Sequence, residues 1–232
     1  MEKKSKPDLF DPVPIVLAGG KGNRFDGIKQ LASIEGKPLV QYVLDSVRSI
    51  EWRYKPIVIL GYRAERIINS IDPDGFRVAR NEAWREGMST SLKRGIKEAP
   101  RGSSGYLVYL ADMPLIKPTI TREVLEKASS GASIVAPVFQ DVRGFPVYLS
   151  RKWRAELLEG IDGDKGAREL INRHREEFVP VRTDDRGVIM DLNEKDDIAR
   201  IKSYPAEEGA EIGFWGAGAR RRGGTLFPHG TG

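Results

Sequence analysis

Runs of apolar residues alternate with segments of helical periodicity, and this alternation constrains the fold of the chain more than any other feature. Helical patterns at about 38–50, 63–71, 89–98 and 119–128 separate apolar runs at 13–18, 56–60, 76–80, 106–111, 133–138 and 145–149. Near-continuous apolar strands with helices between them are typical of a parallel sheet that is covered on both faces. The sequence therefore predicts an α/β fold, a three-layer α/β/α arrangement around a mostly parallel central sheet.

The pattern changes after residue 150, where helical segments predominate. We expect helices at 151–159 and 164–173, a pair of short strands at 178–182 and 187–190, and a last helix near 194–203. From Pro205 onward, eight glycines fall in 28 residues with little periodicity, which is typical of weakly ordered segments. The sequence thus predicts a single domain over 1–204 and a weakly ordered, glycine-rich tail over 205–232.

The composition excludes several kinds of site. The chain has no cysteine and only two histidines among its 232 residues, so disulfides, thiolate metal sites and imidazole zinc sites are not expected. A metal ion would have to be a hard cation on oxygen ligands, with Mg²⁺ the default.

No apolar run approaches the roughly 20 residues of a membrane span, and the charged start MEKKSKPDLFDP lacks an apolar signal core. We therefore expect a soluble cytoplasmic protein with no membrane partner.

The charge balance is modestly basic, with a net charge of +5, and the cations are interspersed with acids. A small polyphosphate substrate accounts for this excess as well as a nucleic acid does. The exception to the interspersed pattern is Arg220–Arg222 in the tail, which leaves nucleic-acid binding through the tail as an alternative. Nucleic acid is not the partner we expect.

A glycine-rich, cationic loop follows the first apolar run and reads LAGGKGNRFDGIKQL at 17–31. Glycines let the backbone approach an anion closely, successive N–H groups can cradle phosphate oxygens, and the cations can neutralise charge. The loop is not a P-loop, because no G-K-S/T opens a helix, and it is not a GxGxxG dinucleotide loop. We interpret it as a polyphosphate site, the alternative being a glycine-rich turn with solvated cations.

Two further loops are expected at the same edge, because ligands of parallel α/β sheets bind beyond the carboxyl ends of the strands. In NEAWREGMSTSLKRG at 81–95, Ser89 is expected to cap a helix, and Ser91 is expected to face inward. In LADMP at 110–114, Asp112 ends an apolar strand, where a carboxylate facing a polyphosphate suits bridging by Mg²⁺. The alternatives are an ordinary capped helix and an aspartate that only forms a cap or turn.

The loop at 17–31 resembles the signature L-A-A/G-G-x-S/G-x-R-F/M-G-x-x-K-x-L of the molybdenum-cofactor nucleotidyltransferases, part of the glycosyltransferase-A-like nucleotidyltransferase superfamily. It departs once, with Asp26-Gly27 where that family has a single glycine. The resemblance implies a Rossmann-like nucleotidyltransferase fold, and it implies that Lys29 stabilises charge at the reacting α-phosphate. It assigns to nucleotide binding Leu17, Ala18, Gly19, Gly20, Lys21, Gly22, Arg24 and Lys29, with Arg24 and Lys29 also catalytic.

Further motifs follow in the order found in that family, so the resemblance covers about 13–201. The stretch 81–95 is similar to N-x-x-W-x-x-G-M-x-x-S-L-x-x-G. LADMP matches L-A-D-x-P, which makes Asp112 the principal metal ligand and a catalytic residue. The match at 81–95 implies base and ribose contacts by Asn81, Gly87, Ser89 and Ser91.

Three later segments complete the resemblance. RGFP at 143–146 resembles R-G-x-P, although cytidylyltransferase members carry histidine where this chain has Phe145. GDKGAR at 163–168 resembles G-D-x-G-A-R, with a helix cap by Asp164 as an alternative explanation. DLNEKDDIARI at 191–201 resembles D-I/V-D/N-T-P-E-D-L, which makes Asp191 a second metal ligand, or else Asn193 a helix cap. The resemblance assigns to acceptor binding Arg143, Gly144, Pro146, Gly163, Asp164 and Gly166.

The activity that this resemblance implies is transfer of a nucleoside monophosphate from an NTP to the phosphate of molybdopterin, or of its tungsten counterpart, with Mg²⁺ as cofactor and pyrophosphate as product. A molybdoenzyme or its chaperone is an implied partner. CTP is favoured, with GTP next, because the middle motifs are of the cytidylyl type whereas Gly20 is of the guanylyl type. The alternatives are a sugar- or polyol-phosphate cytidylyltransferase on the same fold and a non-catalytic nucleotide- or pterin-binding protein.

Overall fold

The structure, a computed structural model, describes residues 10–22, 25, 27–194 and 197–203. Its strands are β1 (Val13–Ala18), β2 (Ser33–Ile34), β3 (Lys37–Pro38), β4 (Ile57–Leu60), β5 (Arg77–Arg80), β6 (Gly105–Leu110), β7 (Ile134–Phe139), β8 (Val142–Arg143), β9 (Val147–Ser150) and β10 (Phe178–Arg182). Its α-helices are α1 (Leu39–Arg48), α2 (Ala64–Ile68), α3 (Met88–Glu98), α4 (Pro118–Ser129), α5 (Arg154–Glu159), α6 (Arg168–Arg173) and α7 (Asp197–Lys202).

One large sheet runs through the described residues in the order β10-β7-β9-β6-β1-β4-β5, with β8 paired to β7. The pairs β1–β4, β1–β6, β4–β5 and β7–β10 are parallel. Strand β9 runs antiparallel to both β6 and β7, because no helix separates it from β7 along the chain. The prediction of a mostly parallel α/β sheet is confirmed.

Alternate residues of the central strand β1 face two different helical layers. Val16 packs into a cluster with α1, α2 and α4, whereas Ile15 packs into a second cluster with α3, α5 and α6. All six residues of β1 are buried, which explains its unbroken apolar run in the sequence. The predicted three-layer arrangement is therefore confirmed, and β1 lies in its middle layer.

A third, smaller apolar cluster brings α7 back to the front of the domain. Leu192 and Ile201 pack there with Ile34, Tyr42 and Leu115. The backbone N–H of Leu192 also bonds to the carbonyl oxygen of Asp112 at 2.9 Å. The segment that follows 190 is thereby held beside the carboxyl end of β6.

Two secondary-structure predictions are wrong. The segment predicted as a strand at 187–190 is a 3₁₀ turn over Arg186–Ile189, because Asp185 Oδ1 accepts the backbone N–H of Gly187 at 2.8 Å and initiates the turn. The helix predicted at 164–173 is split, because Gly166 has φ +52° and separates the 3₁₀ turn Gly163–Lys165 from α6.

None of the helices in the described part of the chain combines the length and apolar character needed to cross a bilayer. The predicted tail at 205–232 lies outside the described residues, so its predicted weak order stays a prediction.

Candidate active site

A cleft of about 490 Å³ lies at the carboxyl ends of β1 and β6. The three predicted loops contribute to it, together with the turn at Gly163–Lys165, which contributes Asp164. Its lining residues are Leu17, Gly19, Gly20, Lys21, Gly22, Lys29, Gln30, Trp84, Arg85, Gly87, Met88, Ser91, Leu110, Ala111, Asp112 and Asp164. The structure thus brings together ten of the residues that the sequence assigned to nucleotide, acceptor or metal binding: Leu17, Gly19, Gly20, Lys21, Gly22, Lys29, Gly87, Ser91, Asp112 and Asp164.

A buried ion pair joins the first loop to the end of β6. Lys29 Nζ lies 2.7 Å from Asp112 Oδ2 and donates a second hydrogen bond to Asn193 Oδ1 at 2.9 Å. The side chain of Lys29 is 9% exposed and that of Asp112 is 27% exposed. An ammonium group at such depth requires a charged partner, so Asp112 stabilises Lys29 in a fixed position beside the cleft.

The metal-binding prediction depends on which carboxylate oxygens are unpaired. Asp112 Oδ1 is buried and has no hydrogen-bond partner among the described residues. Asp191 is exposed, lies outside the cleft lining, and accepts a 2.7 Å hydrogen bond from Asn193 Nδ2. Within the described ranges no group of three or more histidine, cysteine or acidic residues is placed to hold a metal ion. Mg²⁺ usually needs only one or two carboxylates beside water and substrate phosphates. The Asp112 carboxylate, partly exposed in the cleft lining, therefore suits such an ion.

The glycine-rich loop at 17–31, which we call the phosphate loop, is held in place by Gln30. Sequence reasoning missed this residue. Gln30 Nε2 donates to the carbonyl oxygens of Gly20 at 2.6 Å and Ala18 at 3.3 Å. Gln30 Oε1 is buried without a partner in the described part of the chain. The family signature leaves this position open, so nothing in the motif distinguished Gln30 from a surface residue.

The glycines of the loop have different steric roles. A Cβ atom at Gly19 would lie 2.7 Å from Ser91 Oγ, and Gly22 has φ +66°, so the fold itself requires both glycines. A Cβ atom at Gly20 would meet nothing within 4 Å. The space beside Gly20 is therefore open to the cleft rather than filled by protein. Arg24, predicted to bind phosphate, and Asp26, part of the departure from the signature, lie outside the described residues.

The second loop depends on Asn81, which lies beneath the cleft. Its Nδ2 donates to Thr90 Oγ1 at 2.8 Å and to Ser91 Oγ at 2.9 Å, and its Oδ1 accepts the N–H of Ala83 at 3.1 Å. Asn81 is buried and absent from the cleft lining, so its amide group orders the loop from below. Ala18 is likewise buried below the cleft, where it ends β1.

The prediction that Ser89 caps the following helix is wrong. Helix α3 begins at Met88, its N-cap residue is Gly87 with φ +112°, and Ser89 is buried within the first turn. The cap comes instead from another element, because Asp164 Oδ1 accepts the backbone N–H of Met88 at 3.2 Å. The alternative interpretation of Asp164 as the cap of its own helix is therefore also wrong, since α6 begins at Arg168.

The predicted acceptor-binding residues fall into two groups. Gly163, Asp164 and Gly166 lie against the first turn of α3, where a Cβ atom at Gly87 would approach the carbonyl carbon of Gly163 to 2.4 Å. Gly144 and Pro146 are buried, and a Cβ atom at Gly144 would collide with the backbone of Val188. Arg143 lines a different cleft.

The helix cap predicted at Asn193 would involve residues 195 and 196, which lie outside the described residues, so it stays a prediction. Among the described residues, the Asn193 side chain bonds to Lys29 and Asp191, and its backbone N–H donates to Asp197 Oδ2 at 2.8 Å. Asp197 also accepts the N–H of Glu194, and these backbone hydrogen bonds lower the pKa of Asp197.

Sequence reasoning did not single out a group of aromatic and cationic residues on the second loop and beside it. The Trp84 ring lies 5.3 Å from the Tyr62 ring, edge to face, and the Arg85 guanidinium lies 4.4 Å from the Trp84 ring centre. The hydrogen bond from Arg63 lowers the pKa of Tyr62, and the charge of Lys21 contributes in the same direction. The tryptophan of the motif N-x-x-W was the available signal, because an aromatic ring beside a phosphate loop suits stacking with a base.

The electrostatic character of the cleft is positive. Its described lining includes three cations, Lys21, Lys29 and Arg85, and two acids, Asp112 and Asp164. A glycine loop beside these cations suits a polyphosphate, and the partly exposed carboxylate of Asp112 in the same lining suits a divalent cation. Fold and site together are those of a nucleotide-binding α/β protein.

The chain belongs to the family of MobA-like NTP transferase domains, which it matches over residues 14–178. This family confirms the resemblance stated from the sequence. Among curated relatives, the chain is 29% identical over 123 residues to the "Probable molybdenum cofactor guanylyltransferase" of Thermococcus sibiricus, covering 53% of this chain and 59% of that protein.

Two other curated relatives have different names. The "Nicotine blue oxidoreductase" of Paenarthrobacter nicotinovorans is 24% identical over 174 residues, which cover 72% of this chain and 84% of the relative. The "Bifunctional protein GlmU" of Bordetella petrii is 25% identical over 135 residues, 56% of this chain and only 29% of the relative. The chain therefore spans less than a third of the GlmU protein that it matches.

Solved structures share the fold. Rv0371c of Mycobacterium tuberculosis H37Rv superposes with a TM-score of 0.74 at 25% identity, over 82% of this chain and 97% of that one. A structure of Rv0371c in complex with manganese has a TM-score of 0.73 at 24% identity, over 84% and 100% of the two chains. The 2-C-methyl-D-erythritol 4-phosphate cytidylyltransferase of Thermus thermophilus has a TM-score of 0.60 at 15% identity, over 82% and 96%.

Proposed function

We propose that the protein transfers a nucleoside monophosphate from an NTP to the phosphate of molybdopterin, with release of pyrophosphate. The observation that carries the proposal is the buried pair of Lys29 and Asp112 at the mouth of the glycine loop. A protein that only bound a nucleotide would not need a metal-binding carboxylate opposite the glycine loop. The relative named as a molybdenum cofactor guanylyltransferase supports the choice of acceptor, and a molybdoenzyme or its chaperone would then receive the product.

In the proposed reaction an oxygen of the acceptor phosphate attacks the α-phosphorus of the NTP in line. The bond from the α-phosphorus to the bridging oxygen breaks, and pyrophosphate leaves with that oxygen, so no covalent enzyme intermediate forms. Gly19, Gly20 and Gly22 bind the triphosphate through backbone N–H groups, and Arg24 adds a positive charge. The ammonium of Lys29 stabilises the negative charge that develops at the α-phosphate, which is the main catalytic contribution available without a protein nucleophile.

A divalent cation, Mg²⁺ in our proposal, would be held by Asp112 and would screen the charge of the leaving pyrophosphate. The manganese complex of Rv0371c supports a divalent ion in a protein of this fold. Asp191 is proposed only as an outer ligand, because its Oδ2 already accepts the hydrogen bond from Asn193.

The base is proposed to be cytosine, with guanine as the second choice. Gly20 is the residue on which this choice depends, because a Cβ atom there would enter open cleft space and touch no protein atom. We expect Gly20→Ala to leave stability unchanged and to shift the ratio of kcat/KM for CTP over GTP. A ratio identical to that of the wild type would remove Gly20 from base selection.

The proposal is tested by measuring pyrophosphate release from CTP and GTP, each with and without molybdopterin. Release that requires Mg²⁺ and the acceptor is the expected result, and no release with any pairing would refute the enzyme assignment. Asp112→Asn should lower kcat by about 100-fold or more. The matched control Asp74→Asn, an exposed acid near the amino end of β5, should leave kcat unchanged.

A second acceptor class belongs in the same assay. The fold shared with the Thermus erythritol-phosphate cytidylyltransferase favours polyol and sugar phosphates as the runner-up substrates. Release with these phosphates but not with molybdopterin would replace the pterin acceptor and leave the nucleotidyl transfer standing.

A further inference from the structure

A second cleft, of about 350 Å³, lies beside the edge strand β10 and shares no lining residue with the cleft at the phosphate loop. We refer to it as the arginine cleft, because Arg143, Arg175 and Arg182 line it. These residues come from β8, from the 3₁₀ turn after α6, and from the end of β10. The fold thus brings three guanidinium groups together from separate parts of the sequence.

The positive charge of this cleft is poorly balanced. Arg143 donates a 2.8 Å hydrogen bond to Asn172 Oδ1, and neither Arg143 nor Arg175 has an ion pair among the described residues. Arg182 pairs with Asp141 at 3.3 Å, but both side chains are largely exposed, so this pair neutralises little. Burial lowers the pKa of Arg143, and the nearby charges of Arg168 and Arg175 lower it further.

The arginines near the edge strand β5 are arranged differently. At the opposite edge of the sheet, Arg77 and Arg94 both pair with Glu98. Arg80 of the same edge pairs with Glu65. The fold therefore pairs the arginines at the β5 edge with acids. In the described lining of the arginine cleft, three arginines face one acid, Asp141, and an anionic ligand would be stabilised by the remaining positive charge.

The walls of the cleft indicate the kind of anion. Ile171, Phe178 and Pro180 supply an apolar side, and the Arg143 guanidinium lies 5.8 Å from the Phe178 ring centre. Guanidinium groups match phosphate oxygens in two-point hydrogen bonding, and a volume of about 300–1,000 Å³ is usual for small-molecule sites. We propose that the arginine cleft binds a small phosphate-bearing molecule, separately from the phosphate-loop cleft and independently of the proposed transfer reaction.

The test uses the full chain with inorganic pyrophosphate as the probe, at low salt and without a divalent metal. Calorimetry of the wild type should show two sites. Arg175→Gln combined with Arg182→Gln should lower the affinity of the arginine-cleft site by about tenfold or more, the loss expected for charge-assisted hydrogen bonds. Lys21→Gln, in the phosphate loop, should weaken the other site instead.

The matched control is Arg77→Gln combined with Arg94→Gln, which removes two charges at the opposite edge. It should leave both sites unchanged. An equal loss in the two double variants would mean that only the net charge matters, and no loss in either would mean that the arginines do not bind the probe. Either result would overturn the proposal.

Two further measurements cover the remaining outcomes. Arg175→Lys keeps the charge but loses the two-point geometry, so it should weaken pyrophosphate binding at the arginine cleft. This single variant replaces the double variant in the test if the double variant does not fold. Side-chain Nε–Hε resonances of Arg143 and Arg175 should shift on addition of pyrophosphate. If poly-glutamate shifts them and pyrophosphate does not, the cleft accepts an acidic protein segment, and the small-molecule assignment is wrong.

Discussion

Replacing Asp112 with asparagine removes the charge that stabilises the buried ammonium of Lys29. At the observed separation of 2.7 Å and an effective dielectric of about 20, the Coulomb attraction is roughly 6 kcal/mol, most of which offsets the cost of burying two ions. Without the charge of Asp112, the desolvation cost of Lys29 stays uncompensated, because its other described partner, Asn193, is neutral. Because the Asp112 side chain is 27% exposed, we expect a loss of about 2–4 kcal/mol in the free energy of unfolding.

The double variant Asp112→Asn with Lys29→Met tests this reasoning, because it removes the uncompensated charge as well. Urea unfolding at neutral pH should show the double variant to be more stable than Asp112→Asn alone. The methionine side chain fills a similar volume, so lost packing does not account for the difference. A single Asp112→Asn variant as stable as the wild type, or a double variant less stable than the single one, would refute the buried-pair argument.

Three other outcomes follow from contacts near the cleft. Gln30→Ala should raise KM for the NTP by about tenfold with a smaller change in kcat, because the loop loses the clamp at Gly20; steady-state kinetics separate the two terms. Gly87→Ala should cost about 2–4 kcal/mol in urea unfolding, since its Cβ would meet Gly163 at 2.4 Å and its φ is +112°. Asp197 has a lowered pKa, so it stabilises the fold above its unfolded value of 3.8 and loses that contribution as pH falls through the folded value. The stability difference between wild type and Asp197→Asn should accordingly shrink toward acid pH, and a difference independent of pH would contradict the hydrogen-bonding assignment.

The sheet, the loop at 17–31 and the loop at 81–95 could be predicted because their signals are local. The apolar run of β1 and the acid that follows β6 each lie within a few residues of the features they predict. The helix cap by Asp164 could not be predicted, since it joins atoms 76 residues apart in the chain. A local interpretation chose Ser89 instead, because serine is a favoured cap and no local signal excluded it.

Side-chain direction limited the prediction of the site in the same way. Asn81 belongs to the matching motif, yet its amide bonds to Thr90 and Ser91 beneath the cleft. Arg143 also belongs to a matching motif, but it lines the arginine cleft and not the phosphate-loop cleft. A motif places a residue in a loop, whereas tertiary packing decides which of two surfaces its side chain reaches.

The close approach of Gly87 to Gly163 restricts how this protein can be redesigned. The two loops meet backbone to backbone, so the loop at 163–166 cannot be exchanged for one that brings a side chain or a bulkier turn to that point. A graft intended to change the acceptor would have to keep the Gly163 backbone and the Asp164 carboxylate in register with the first turn of α3. If 163–166 binds the acceptor as proposed, its specificity is better changed through side chains around this contact than through loop length.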